Sequence, residues 1–256
     1  VGLGIDIGST STKAVLVRPG GEVLADLYTR TKGDPIGATK RLFETLTELQ
    51  RRAGGRLDVV AAATTGSGRK LVGQVIGADH VVNEISAHVA GAQAVDPEVE
   101  TIFEIGGQDA KFMDVRGGFL RDVNMNYVCA AGTGSFVEEQ AIKLGFPIQA
   151  VGEATEGVAP PPTSDRCTVF MEQDVHRLLR QGFERDEVMA AVLYSVVQNY
   201  LNRVVGNRHR SDTKIAFQGA TARNRGLVAA FENLLDVEVV VSPLCHQMGA
   251  YGAALL

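Results

Sequence analysis

Two short stretches of the 256-residue chain carry residue types that suit phosphate chemistry. The first is Asp6-Ile7-Gly8-Ser9-Thr10-Ser11-Thr12-Lys13, and the second is Glu104-Ile105-Gly106-Gly107-Gln108-Asp109-Ala110-Lys111. A glycine turn flanked by hydroxyl side chains lets backbone N–H groups come close to phosphate oxygens. Acids at strand ends, here Asp6 and Glu104 with Asp109 nearby, match the oxygen ligands that Mg2+ prefers. Gln108 is a neutral side chain of the kind that orients an attacking water beside a phosphate. Two such turns facing each other would hold the β- and γ-phosphates of a nucleotide from both sides. A single glycine turn is more often a plain hairpin turn, so the doubling carries the argument. No G-x-x-x-x-G-K-S/T sequence is present, which excludes a P-loop.

The doubling has one register. A shift of 98 residues lays Asp6 on Glu104, Ile7 on Ile105, Gly8 on Gly106 and Lys13 on Lys111, and carries Val17-Arg18 onto Val115-Arg116 and Gly20 onto Gly118. Each copy reads as a β-hairpin. Leu3 to Ile7 is an apolar strand ending in the small-residue turn, Lys13 to Arg18 returns, and Pro19-Gly20-Gly21 turns again. Thr101 to Ile105, Lys111 to Arg116 and Gly117-Gly118 do the same in the second half. Apolar spacing predicts helices over 37–52, 135–144, 169–179, 187–205 and 224–235, with further strands over 59–63, 214–217 and 237–241. Pro160-Pro161-Pro162 predicts a surface loop. The pattern is α/β: two duplicated lobes, residues 1–98 with the first phosphate motif and 99–256 with the second, enclosing a nucleotide cleft.

Near the C-terminus, Ile215 to Asn224 reads as an apolar strand, a Gly219-Ala220 turn and a helix start near Asn224. Gly249-Ala250-Tyr251-Gly252 is a second small-residue stretch. Either would let an adenine ring lie against backbone, and either suits close helix packing equally well.

Composition narrows the class. Hydrophobic residues make up 45%, charged residues 21%, and there are 29 glycines, as in a soluble, loop-rich α/β protein. A net charge of -5 gives no support to nucleic acid as a partner. No stretch approaches the ~18 apolar residues of a membrane helix, and the start of the chain does not read as a signal peptide. Three cysteines, Cys129, Cys167 and Cys245, are too few for a disulfide framework, which points to a cytoplasmic setting.

The order of motifs resembles a known family. Asp6 to Lys13 and Glu104 to Asp109 resemble the two phosphate motifs of the actin-like ATPase superfamily, whose lobes are ribonuclease-H-like, and Gly219 to Asn224 resembles its adenosine motif. Within it, Ile105 to Lys111, then Cys129-Ala-Ala-Gly-Thr-Gly-Ser-Phe136, then Asp165-Arg-Cys-Thr-Val-Phe170 resemble the ATPase activators of 2-hydroxyacyl-CoA dehydratases and the ATPase subunits of benzoyl-CoA reductase. Thr65-Gly66-Ser67-Gly68-Arg69 resembles a turn of the same family. The resemblance implies ATP/ADP and Mg2+ as ligands, with Asp6 and Glu104 on the metal. Asp6, Gln108 and Asp109 fall at the chemistry. The nucleotide is expected at Gly8, Ser9, Thr10, Ser11, Thr12, Lys13, Gly106, Gly107, Gly132, Thr133, Gly134, Gly219, Ala220, Asn224 and Gly249.

It further implies a homodimer holding one [4Fe-4S] cluster, with Cys129 and Cys167 as ligands. The partners would be a CoA-ester dehydratase or reductase and a ferredoxin or flavodoxin electron source. Such a cluster takes four thiolates, and a twofold dimer with two in each chain supplies them. Glu104 departs from the Asp usual in the family. Cys245, and His80, His88, His176, His209 and His246, form no constellation in the sequence, and core or surface roles are expected for them. Two alternatives share the glycine motifs: a nucleotide-dependent regulatory ATPase without redox chemistry, and a small-molecule kinase, for which no substrate acid/base is evident.

Overall fold

The structure is a computed structural model that describes residues 1–54, 57–126, 132–164, 168–208, 210 and 212–256. Among these residues the strands are β1 (Gly2–Ile7), β2 (Ser11–Val17), β3 (Val23–Arg30), β4 (Ala61–Thr65), β5 (His80–Val81), β6 (Val99–Ile105), β7 (Ala110–Arg116), β8 (Phe119–Met125), β9 (Lys214–Gln218) and β10 (Val239–Val240). The helices are α1 (Pro35–Ala53), α2 (Arg69–Ile76), α3 (Glu84–Val95), α4 (Gly134–Leu144), α5 (Val151–Ala154), α6 (Thr168–Arg180), α7 (Arg185–Tyr200), α8 (Arg225–Leu235) and α9 (Met248–Leu255).

The predicted duplication is present in the topology. One sheet runs β3-β2-β1-β4-β5 and the other, read in the matching direction, β8-β7-β6-β9-β10. In each, the central strand pairs antiparallel with its hairpin partner, β1 with β2 and β6 with β7, and parallel with a distant strand, β1 with β4 and β6 with β9. β1 and β6 are buried along nearly their whole length, as strands covered on both faces are. Two compact units result: Val1–Glu98 with Gly118–Leu120 and Gln247–Leu256, and Val99–Gly117 with Arg121–His246.

Local chemistry explains the helix ends. Asp34 caps α1 by accepting from the Gly37 N–H at 2.8 Å, and Gly54 closes it in the left-handed conformation. Glu184 and Glu187 form a capping box on α7. The helix predicted over 187–205 is α-helical only to Tyr200 and continues as a π turn, Leu201–Val205. The strand predicted over 59–63 lies two residues later, at Ala61–Thr65, and that over 237–241 shrinks to Val239–Val240. Pro160-Pro161-Pro162 lies in the predicted loop, between α5 and α6.

α2, α3, α5 and α9 are not among the predicted helices, and α3 and α9 show why. Both are rich in alanine and glycine and pack backbone to backbone, so neither needs an apolar stripe. A Cβ on Gly252 would sit 1.8 Å from the Ala87 carbonyl oxygen, and one on Gly91 would sit 2.7 Å from that of Met248. On its other side α9 meets β1, where a Cβ on Gly4 would lie 1.9 Å from the Ala250 carbonyl. The small-residue stretch Gly249 to Gly252 is therefore a close-packing device. Gly252→Ala should lower stability by about 1–3 kcal/mol, because the clash is with backbone that cannot rotate away. A thermal melt showing no loss would contradict this.

Candidate functional site

In the first unit, strand register places Asp6 opposite Lys13 across the β1–β2 hairpin. Lys13 Nζ donates to Asp6 Oδ2 at 2.9 Å, and the carboxylate is almost wholly buried. The intervening turn closes through the Gly8 N–H to the Ser11 carbonyl at 2.9 Å. Thr31, just past β3, braces that turn. Its hydroxyl donates to the Gly8 carbonyl at 2.7 Å, its N–H donates to the Thr10 carbonyl at 3.0 Å, and its Oγ1 meets that of buried Thr12 at 2.9 Å. Ser9 is exposed within the turn, while Ser11 is buried.

The second unit repeats the device. Glu104 faces Lys111 across β6–β7 with Nζ to Oε2 at 2.9 Å, and Gly106 N–H donates to the Asp109 carbonyl at 2.9 Å. Lys111 differs from Lys13 in having a second carboxylate, Asp109 Oδ2, at 3.0 Å and in being 1% exposed. Its charge is committed within the protein. The Tyr200 hydroxyl donates to the Lys111 carbonyl at 2.7 Å, and burial, with the Glu104 charge beside it, pushes the Tyr200 phenol well above its usual range. Gln108 is exposed at the tip of the turn and Asp109 half-buried beside it.

Glycines close each acid from the side. Gly66, after β4, has φ +84°, and a Cβ there would lie 2.4 Å from Asp6 Oδ1. Gly219, after β9, has φ +97°, and its Cβ would lie 2.3 Å from the Ile105 carbonyl and 3.4 Å from Glu104 Oε1. The two are equivalents, since register pairs Asp6 with Thr65 and Glu104 with Gln218. Sequence reasoning noticed the turn at Gly66 without connecting it to Asp6, and it missed Thr31 altogether. The link was visible only as the repeat of a strand followed by a glycine.

Other expected residues separate by role. Asn224 caps α8, its Oδ1 accepting from the N–H groups of Gly226 and Leu227 at 2.9 and 3.3 Å. Ala220 opens a short 3-10 turn, and Gly219 N–H donates to the Cys245 carbonyl at 2.9 Å. Cys245 itself is buried in the apolar core of the second unit, and burial raises its thiol pKa, so it behaves as a packing residue. Gly249 lies against Asp6, where a Cβ would be 3.0 Å from Oδ2. Cys129 and Cys167 lie outside the described residues, as does His209. Among the described residues no group of three or more His, Cys, Asp or Glu side chains is placed to hold a metal.

The segments that flank the two cysteines are well anchored. Gly132 packs against Asn199, and Thr133 is the N-cap residue of α4. The Gly134 and Ser135 N–H groups donate to the carbonyls of Gly106 and Gly107, both at 2.9 Å. Gly134 N–H thus takes in the second unit the place that the Thr31 hydroxyl takes in the first. Before Cys167, the Ser164 N–H donates to Asp174 Oδ2 at 2.7 Å, and Arg177 joins Asp174 at 3.0 Å. α6 begins at Thr168, directly after Cys167.

Residues 3–256 match the BadF/BadG/BcrA/BcrD ATPase family. The chain belongs to this ATPase family. It is 35% identical to the activator of lactoyl-CoA dehydratase from Anaerotignum propionicum, over 99% of this chain and 95% of that protein. The crystal structure of component A of (R)-2-hydroxyglutaryl-CoA dehydratase from Acidaminococcus fermentans is similar at a TM-score of 0.88 and 32% identity, covering 99% of this chain and 96% of that one. The activator of 2-hydroxyisocaproyl-CoA dehydratase from Clostridium difficile, with bound ADPNP, matches at 0.86 and 30%, covering 99% and 92%. The fold expectation holds: the chain has the actin-like ATPase fold of these structures.

Two predictions follow from the geometry. Lys111→Met strands the buried Glu104 carboxylate and should cost about 3–5 kcal/mol; Lys111→Met with Glu104→Gln should recover much of that loss in thermal or denaturant unfolding. Asp174 has its carboxyl held below the usual range: burial opposes this, but the Ser164 N–H and Arg177 prevail. A depressed folded pKa adds stability that is complete above the ordinary carboxylate range and is lost as pH falls through the folded value. The melting-temperature deficit of Asp174→Asn should therefore be constant above pH ~5 and shrink below ~4.

Proposed function

We propose that the chain is an ATP-driven activator of a CoA-ester dehydratase or reductase, passing it a low-potential electron. The observation that carries this is the pair of hydrogen bonds from Gly134 and Ser135 to the Gly106–Gly107 turn. The phosphate motif of the second unit and the helix that follows Cys129 are tied to one another by backbone, so a shift of one is felt by the other. The relatives' activity as dehydratase activators supports the same conclusion.

The residues fit the groups this function needs. At Gly8 a Cβ would lie 2.9 Å from the Ser11 carbonyl, and at Gly106 it would lie 2.8 Å from Asp109 Oδ1 and 3.2 Å from the Asp109 carbonyl, so both turns are tight at the glycine where phosphate would approach. Asp6 would hold Mg2+, with Gln108 and Asp109 orienting the attacking water. Glu104 would stand to the metal as Asp6 does, since each carboxylate has one oxygen held by its own lysine at 2.9 Å. Bound Mg2+ supplies charge neutralisation between the phosphates.

Cys129 and Cys167 would be the cluster ligands, two from each protomer of a homodimer. In the sequence α6 begins one residue after Cys167 and α4 five after Cys129, and a helix N-terminus close to a cysteine would favour its thiolate. When bound, a [4Fe-4S] cluster supplies one electron at low potential. A ferredoxin or flavodoxin is the proposed source and the cytoplasm the proposed setting. The regulatory-ATPase alternative differs only in making the cysteines incidental.

The test is anaerobic reconstitution with iron and sulfide. Iron at about two atoms per chain is expected, with a reduced-state EPR spectrum that ATP alters and that Cys129→Ser or Cys167→Ser abolishes. No stoichiometric iron under those conditions would favour the regulatory ATPase.

A further inference from the structure

His88 showed no constellation in the sequence, yet the fold brings it to the acid of the first phosphate motif. It lies on α3 and is 5% exposed. α3 is pressed against α9 through Gly91 and Gly252, and α9 against β1 through Gly4, all by contacts that leave no room for a methyl group. That three-way packing sets the start of α9 beside the end of β1. A Cβ built on Gly249 would lie 3.0 Å from Asp6 Oδ2 and 3.4 Å from His88 Nε2. The carboxylate oxygen and the imidazole nitrogen thus crowd one point of backbone, in the first turn of α9. Asp6 Oδ2 is also the oxygen that Lys13 holds at 2.9 Å, while Oδ1 lies against Gly66.

We propose that His88 is a positioning residue for Asp6. This rests on the role proposed above for Asp6 at the metal. Lys13, the first turn of α9 and the imidazole stand on the Oδ2 side of the carboxyl group and fix its rotation. Helix N-termini favour a carboxylate. A carboxylate held from several sides is pre-oriented before any ligand arrives, and a misplacement of about 1 Å in such a group can cost ~100-fold in rate. The glycines of α3 and α9 explain themselves in the same terms: without them α9 could not come near enough for Gly249 to reach the acid.

Four variants test this: His88→Leu, His88→Gln, Gly249→Ala and Asp6→Asn. ATPase kcat and KM are read as Mg2+ is varied, and titration calorimetry reads how far Mg2+ tightens ADP binding. His88→Leu should lower kcat by ~10- to 100-fold, with metal-free ADP affinity unchanged and the Mg2+ enhancement reduced. His88→Gln, which keeps a polar nitrogen, should restore most of both. Gly249→Ala drives a methyl between Asp6 and His88 and should reproduce the loss, which serves if His88→Leu does not fold. Wild-type kcat and Mg2+ enhancement in His88→Leu or Gly249→Ala, beside an inactive Asp6→Asn, would overturn the positioning role and leave the ATPase site standing. An Asp6→Asn variant with full turnover would instead remove the role given to Asp6, and the proposal with it.

Discussion

A carboxylate buried at the end of a central strand, paired with a lysine from the next strand, is the constraint on which both units depend. An unpaired charge in that position would be costly to bury, and the lysine removes most of that cost only if the register is right. Register in an antiparallel pair has a period of two, so a slip of one residue would send the lysine to the opposite face. The turn between the strands must therefore close with a fixed length, and it does so identically through Gly8–Ser11 and Gly106–Asp109. The same turns are the ones proposed above to offer backbone to phosphate.

The units differ in how the hairpin is braced, and the differences follow their proposed tasks. In the first, a threonine hydroxyl from the end of β3 holds the turn, and a helix from the end of the chain abuts the acid. In the second, the N-terminus of α4 holds the turn instead. A side-chain brace is local to its own sheet. A helix brace transmits, because α4 packs along the core of its unit with Phe136, Val137, Ala141 and Leu144 all buried. The second turn is thus joined to a rigid rod whose start lies just after Cys129.

The apolar packing beneath these turns is of two kinds. The second unit has a large core in which Phe103, Phe217, Phe231 and Tyr200 meet mostly edge to face, with ring centroids 4.9–5.6 Å apart. Around α9 the first unit uses glycine and alanine to bring backbones together. Close backbone approach suits a place where a helix end must reach a carboxylate, since any side chain there would hold the two apart.

Much of this was legible in the chain itself. The repeat at 98 residues revealed the duplicated hairpins, their acids and their lysines, because the acid, glycine and lysine recur in one register without a gap. Apolar spacing located α1, α4, α6 and α8, and the long apolar run of α7, which is buried nearly all round, located that helix too. Neither located α3 or α9, whose neighbours are backbone on more than one side and whose small residues show no stripe. β8 escaped for the opposite reason: it is largely exposed and has no buried face to mark it. Residue types and local spacing were decided by sequence, and so the two glycine turns could be named before any fold was known. That Thr31, Gly66, His88 and Gly249 stand around the first of them was decided by tertiary structure alone, because they arrive from separate elements joined by long-range packing, and no local pattern encodes such a meeting.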